Sequence, residues 1–181
     1  MAKVQARRII HSIHAVSDID LCRRKYQDVF GAIVFNEGYE PSTDRNHALL
    51  YAADHMIEPM APRDATTTDK GFARWLDKHG EGWHSFEIKV DDAATAAASL
   101  KAGGCELIET PYPVFFFVRP ASTGGILFEV CEKPMVNDPA ERPNWNPRWA
   151  DGMPSGLLRL DHIACVVRDV DAALHFFTEL I

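Results

Sequence analysis

The stretch HSIHAVSDIDLCRRKYQDVFG, His11–Gly31, decides the fold. Its first part belongs to an alternating segment, RIIHSIHAV (Arg8–Val16), which reads as a strand. Ser17-Asp18 supplies a helix cap, because a short oxygen-bearing side chain can accept from the free N–H groups of a first turn. The segment Asp18–Phe30 then places Cys22, Tyr26, Val29 and Phe30 on one helical face. Gly31 ends the helix. Working outward, AIVFNEGYE reads as a second strand and PSTDRNH as a turn-rich loop. ALLYA and HMIEPM read as two more strands joined by a short turn near Ala53-Asp54.

The same order returns further on. A segment from Arg63 to Gly82 intervenes, with a polar threonine run and a short helix, KGFARWLDKHG, ending at Gly80. HSFEIKV (His84–Val90) then alternates like a strand, and Asp91-Asp92 caps an alanine-rich helix closed by Gly103-Gly104. CELIE, VFFFVRP and ILFEVCE follow as strands, the last two linked by a turn at Ala121–Gly125. A strand–helix–strand–strand–strand unit therefore occurs twice, at residues 8–62 and 82–133. The expected fold class is α+β, with paired βαβββ modules forming a curved mixed sheet around a cavity.

After residue 133 the composition changes. Residues 134–157 form a Pro/Trp-rich linker, in which Trp145 and Trp149 are expected to dock. LLRLDHIACVVRDVDAALHFFTELI then repeats the first strand and helix a third time, so residues 158–181 read as a partial third module. Leu174, Phe176, Phe177 and Leu180 are expected to lack a sheet of their own. That predicts either a truncated two-domain protein or a homo-oligomer swapped through this tail.

The chain has 181 residues, 46% of them hydrophobic and 25% charged, within the ordinary globular range. Its 26 acids outnumber 19 Lys and Arg, giving a formal charge of −7, which disfavours a nucleic-acid partner. No apolar run approaches the roughly 18 residues of a membrane helix. Cys22, Cys105, Cys131 and Cys165 form no CxxC and point to a reducing, cytoplasmic setting. Neither a nucleotide-binding glycine loop nor a GxSxG elbow is present.

The quoted motifs resemble the vicinal oxygen chelate superfamily, which includes glyoxalase I, methylmalonyl-CoA epimerase, extradiol dioxygenases and bleomycin- or fosfomycin-resistance proteins. The first stretch is similar to the family's H-x-x-x-x-V-x-D pattern with its later tyrosine and glycine. DHIACVVRDVDAALHFFTEL matches it again, and HSFEIKVDDAATAAASLKAGG carries the V-D-D, helix and glycine end. The motifs are closest to those of methylmalonyl-CoA epimerase and glyoxalase-like proteins. The resemblance implies a divalent metal (Zn, Mn, Fe, Co or Ni) held from the first and last strands of each module. Carried over position by position, it implies His11, Glu58 and Glu129 as ligands. The fourth position falls on Ser85, a departure from the pattern, with His84 beside it as the substitute.

The residues themselves bear on these assignments. On alternating strands, His11, Ile13 and Ala15 share a face, and Phe86, Ile88 and Val90 read as the helix-facing core. Ser85, Glu87 and Lys89 then face the cavity, and His84 reaches it only through a bulge. Glu129 stands in an apolar strand, where a carboxylate is costly unless paired or cation-bound. Tyr51, Phe115 and Phe117 are candidate wall residues.

Three functions follow from the resemblance. One is a metal-dependent lyase or isomerase/epimerase acting on a small oxygenated substrate, with Glu87 or Glu58 moving a proton on and off carbon. The second is an extradiol-dioxygenase-like protein whose iron site, begun by His162, needs a further domain. The third is a non-catalytic small-molecule-binding protein of the resistance type. A small-molecule partner is expected in all three, with no nucleic acid and no membrane.

Overall fold

A computed structural model describes residues 3–64, 66, 71–146 and 155–181. The first module is β1 (Arg8–Ala15), α1 (Ile19–Phe30), β2 (Ile33–Glu40), β3 (Arg45–Ala52) and β4 (His55–Pro62). A separate helix, α2 (Gly71–His79), follows it. The second module is β5 (Gly82–Lys89), α3 (Ala93–Ala102), β6 (Leu107–Glu109), β7 (Phe115–Val118) and β8 (Phe128–Cys131). The α+β class and the paired βαβββ order expected from the sequence are both present.

Each module builds a four-stranded mixed ladder in the same way. In the first the order is β2-β3-β4-β1, in the second β5-β8-β7-β6. The first and last strands pair in parallel, β1 with β4 and β5 with β8, and the remaining pairs are antiparallel. The caps are as the sequence implies. Asp18 accepts from Leu21 N at 2.8 Å and Asp92 from Thr95 N at 2.6 Å. Gly31 closes α1 in the left-handed conformation, φ 67°.

The chain divides into two compact units. One comprises His11–His84 and Met135–His162. Its ladder has two packed faces. Ala32, Leu50, Ala52 and Ile57 form one with Tyr26 of α1, and Ile13, Ala15 and Met60 form the other with Phe72 of α2. The helix face of α1 is only partly used, because Val29 and Phe30 remain 58% and 38% exposed. The arm after Pro134 docks on this unit. Tyr51 Oη donates to Asp138 Oδ1 at 2.9 Å, and the Trp145 ring lies 4.9 Å from that of Tyr51. Trp149 and most of the threonine run lie outside the described residues.

The other unit comprises Met1–Ile10, Ser85–Pro134 and Ile163–Ile181. Ile88, Val90, Phe128 and Val130 pack under Ala93, Ala96 and Leu100 of α3, confirming the helix-facing parity of β5. The carboxy-terminal segment differs from its sequence reading. LLRLDHIACVV contains no strand. A strand persists only within a ladder, and no described strand pairs with this stretch. The helix α4 (Val170–His175) and a π turn at Phe176–Leu180 do form, and they are covered. Phe176 and Leu180 are buried in the core of this unit with Val4, and Phe177 packs beside them. Leu174 alone of the four stays largely exposed, at 55%. The cover comes from the outer side of the second module and from the amino-terminal segment, where Val4 N donates to Leu180 O at 2.8 Å. Gly124 permits the approach: a Cβ there would lie 2.5 Å from Asp169 O and 2.7 Å from Ala173 Cβ. Among the described residues no helix is long and apolar enough to cross a membrane.

Candidate metal centre

The first unit carries an imidazole–carboxylate pair. His11 stands on β1 and Glu58 on β4, two strands in parallel register that pairs Ile13 with Glu58. His11 Nε2 lies 3.1 Å from Glu58 Oε2, and both residues are buried. His11 Nδ1 makes no hydrogen bond among the described residues, which leaves a lone pair or a proton to be satisfied. Burial pushes the Glu58 carboxyl up, but His11, Arg45 and His47 outweigh it and hold it below the usual carboxylate range.

The opposite face of β1 shows why its two histidines differ. His14 Nδ1 is 2.7 Å from Tyr26 Oη, and its ring makes an edge contact with Trp83 at 4.2 Å. Burial pulls the His14 imidazole down to about 4, with a further push from His55. Ser12, on that same face, hydrogen-bonds His55 Nε2 at 2.8 Å. His14 is therefore engaged by Tyr26 and Trp83, and His11 is the one beside a carboxylate.

His84 occupies a third environment. Its ring lies 4.8 Å from Trp75 and 5.5 Å from Phe72, within the aromatic cluster under α2. Burial lowers it to about 4; Arg45 adds to the lowering and Glu58 opposes it.

The second unit carries two carboxylates. Glu87 on β5 and Glu129 on β8 are direct register partners on parallel strands. Both are buried, at 1% and 7% exposure, and their nearest oxygens lie within 4.8 Å. Two buried like charges at that distance are unfavourable unless a cation or a shared proton intervenes. Phe117 is the register partner of Glu129 on β7, which places its ring on the same face. Ser85 is buried but brings no charge. Glu87, two residues on and on the same face, brings the carboxylate.

The donor set suits a divalent ion. An imidazole and carboxylates fit Zn, Mn, Fe, Co or Ni. The His11–Glu58 contact is the carboxylate–histidine arrangement that fixes a ligating ring through its second nitrogen. Asp138 carried no sequence signal; its buried carboxylate ties the arm to Tyr51.

A family model for the glyoxalase-like domain matches residues 10–128. No curated protein matches the chain. Among solved structures, methylmalonyl-CoA epimerase from Mycobacterium tuberculosis is similar, at 27% identity over 74% of this chain and 92% of its own, with a TM-score of 0.64. Streptomyces coelicolor methylmalonyl-CoA epimerase in complex with 2-nitronate-propionyl-CoA is similar in fold, at 23% identity over 71% and 99% of the two chains, with a TM-score of 0.64.

Proposed function

The chain belongs to the glyoxalase-like domain family of the vicinal oxygen chelate superfamily, and from that premise we propose that it is a metal-dependent isomerase or epimerase. Its substrate is a small oxygenated molecule with an acidic carbon–hydrogen bond. The observation that supports this most is the buried Glu87–Glu129 pair, two carboxylates side by side in an apolar unit. Carboxylate oxygens on neighbouring strands are donors that a divalent ion takes.

The proposed ligands are His11 through Nδ1, Glu87 and Glu129. That the two modules serve a single ion rests on the family's pattern of ligands from the first and last strands of each. His84 is left out of the set because its ring is engaged by Phe72 and Trp75. A divalent ion bound there supplies Lewis-acid polarisation of a substrate oxygen. Glu58 is the proposed proton carrier. Its Oε2 is held by His11, which leaves Oε1 to take a proton from carbon and return it. His11 thereby fixes the carboxylate as well as the ion, and the burial of both residues limits competing protonation by water.

The similar epimerases name a first substrate to try. Deuterium uptake from D2O at the carbon between the carboxylate and thioester of methylmalonyl-CoA is measured beside simple 2-oxo acids. We expect uptake into at least one of them, dependent on added metal, and lower by at least about 100-fold in Glu58→Gln. No uptake into any of them by the metal-loaded chain contradicts the proposal.

A further inference from the structure

The arm that follows the second module does more than connect. Met135–Asn146 crosses the first unit and is fixed there at three points. Asn36 Nδ2 donates to Val136 O at 3.3 Å, Tyr51 Oη donates to the buried Asp138, and the Trp145 ring lies against Tyr51. Asp138 also accepts from Ala140 N at 2.8 Å, which caps the short 3-10 turn Pro139–Glu141 and sets the chain direction into Arg142. The arm is thus held as a wall and leaves an open cleft beneath it.

That cleft measures about 520 Å³ and is lined by Phe35, Tyr51, Pro139, Arg142, Asn144 and Trp145. Its composition is uneven. Three aromatic rings stand in sequence, with Phe35 5.6 Å from Tyr51 and Tyr51 4.9 Å from Trp145. Beside them is one cation, Arg142, which forms no ion pair with any described residue. A volume in this range suits a small organic ligand. Aromatic rings offer flat faces to a planar molecule, and a guanidinium fits a carboxylate through two parallel N–H bonds.

We infer that this cleft binds a planar carboxylate, an aromatic or conjugated acid whose ring lies against the part-exposed rings of Phe35 and Trp145 and whose carboxylate is held by Arg142. The site is made by the arm, lies within one unit and includes none of the proposed metal ligands. The inference goes beyond the proposed reaction and stands without it.

The test uses the full chain with 4-fluorobenzoate and its uncharged counterpart 4-fluorobenzamide as probes. Binding is followed by fluorine NMR and calorimetry, with and without prior chelation. We expect the acid to bind at least about tenfold more tightly than the amide. Arg142→Gln removes that preference and leaves amide binding unchanged. Trp145→Ala weakens both probes, and Glu129→Gln and chelation affect neither. Because Arg142 is exposed, its substitution leaves the fold intact, which thermal unfolding checks. Equal affinity for acid and amide, or an unchanged preference in Arg142→Gln, overturns the inference. Loss of binding on chelation also overturns it, since the acid would then be reading a metal rather than the arginine.

Discussion

The two modules have one topology and different chemistry. In the first, the parallel first and last strands present an imidazole and a carboxylate, His11 and Glu58, within ion-pair distance. In the second, the equivalent strands present two carboxylates, Glu87 and Glu129, as register partners. The first pair joins an imidazole to a carboxylate, whereas the second joins two carboxylates. The comparison teaches that a repeated scaffold fixes which face a donor occupies but not its type or its exact step along the strand. Where the family resemblance implies a donor at Ser85, the proposed one is Glu87, about 6.6 Å further along the same face.

The surroundings diverge as well. The first unit gathers buried histidines around its ladder, and the second is an apolar core closed by its own carboxy-terminal turn. The largest expected effect concerns the carboxylate pair. Glu87→Gln should lower metal-dependent proton exchange by at least about 100-fold. It should also leave the melting temperature unchanged or raised, since it removes one of two adjacent buried charges. A large loss of stability in the metal-free variant would break the contrast between the modules.

Next in size is the closure of the second unit. Phe176 is fully buried and makes edge contacts with Phe128 and Phe177. Phe176→Ala should cost about 3–5 kcal/mol of unfolding free energy, read from the urea midpoint. Gly124→Ala should destabilise by the same route, because the added methyl meets the backbone of Asp169 and the Ala173 side chain. A wild-type midpoint in either variant would mean that the tail is not part of this core.

Acid should separate the two units. His14, His55 and His84 all lie in the first unit and are lowered to about 4, chiefly by burial. Unfolded imidazoles bind protons below about 6.5, while these folded ones stay neutral until about 4. Over that window the unfolded state binds more protons, so the stabilisation is complete above pH 6.5 and is lost as pH falls towards 4. Each group contributes on the order of 3 kcal/mol. Hydrogen exchange at pH 4.5 should show β1 and β4 losing protection before β7 and β8. The reverse order would contradict this assignment.

The smallest effect is at the arm. Tyr51→Phe leaves the buried Asp138 without its phenol donor and should cost about 1–2 kcal/mol, with faster exchange at Ala140 N. An unchanged exchange rate there would show that the arm is held by other contacts.

Much of this was legible in the sequence because it depends on local rules. Asp18, Gly31, Asp92 and the alternation of β1, β5 and β8 announce themselves through capping and period-two patterning. Parity puts His11 and His14 on opposite faces of β1, and the family resemblance says which of them faces inward. The carboxy-terminal stretch was less legible because its alternation favours a strand, while strand formation needs a ladder partner that local sequence does not specify. The burial of Phe176 and Leu180 was hidden for a related reason. Their cover is Val4 and the core under α3, far away in the chain. The arm was marked only by its prolines and tryptophans, and nothing local signalled that Asp138 would meet Tyr51, 87 residues away.

In the proposed centre, one donor from the first module and two from the second serve one ion. Elemental analysis of the purified chain, reloaded with Mn, Fe, Co, Ni or Zn after chelation, tests it most directly on wild type, His11→Ala and Glu129→Gln. A stoichiometric divalent ion is expected in the wild type, and its loss in both variants. A wild-type chain that takes up none of these metals would contradict it, as would an ion lost in one variant and retained in the other.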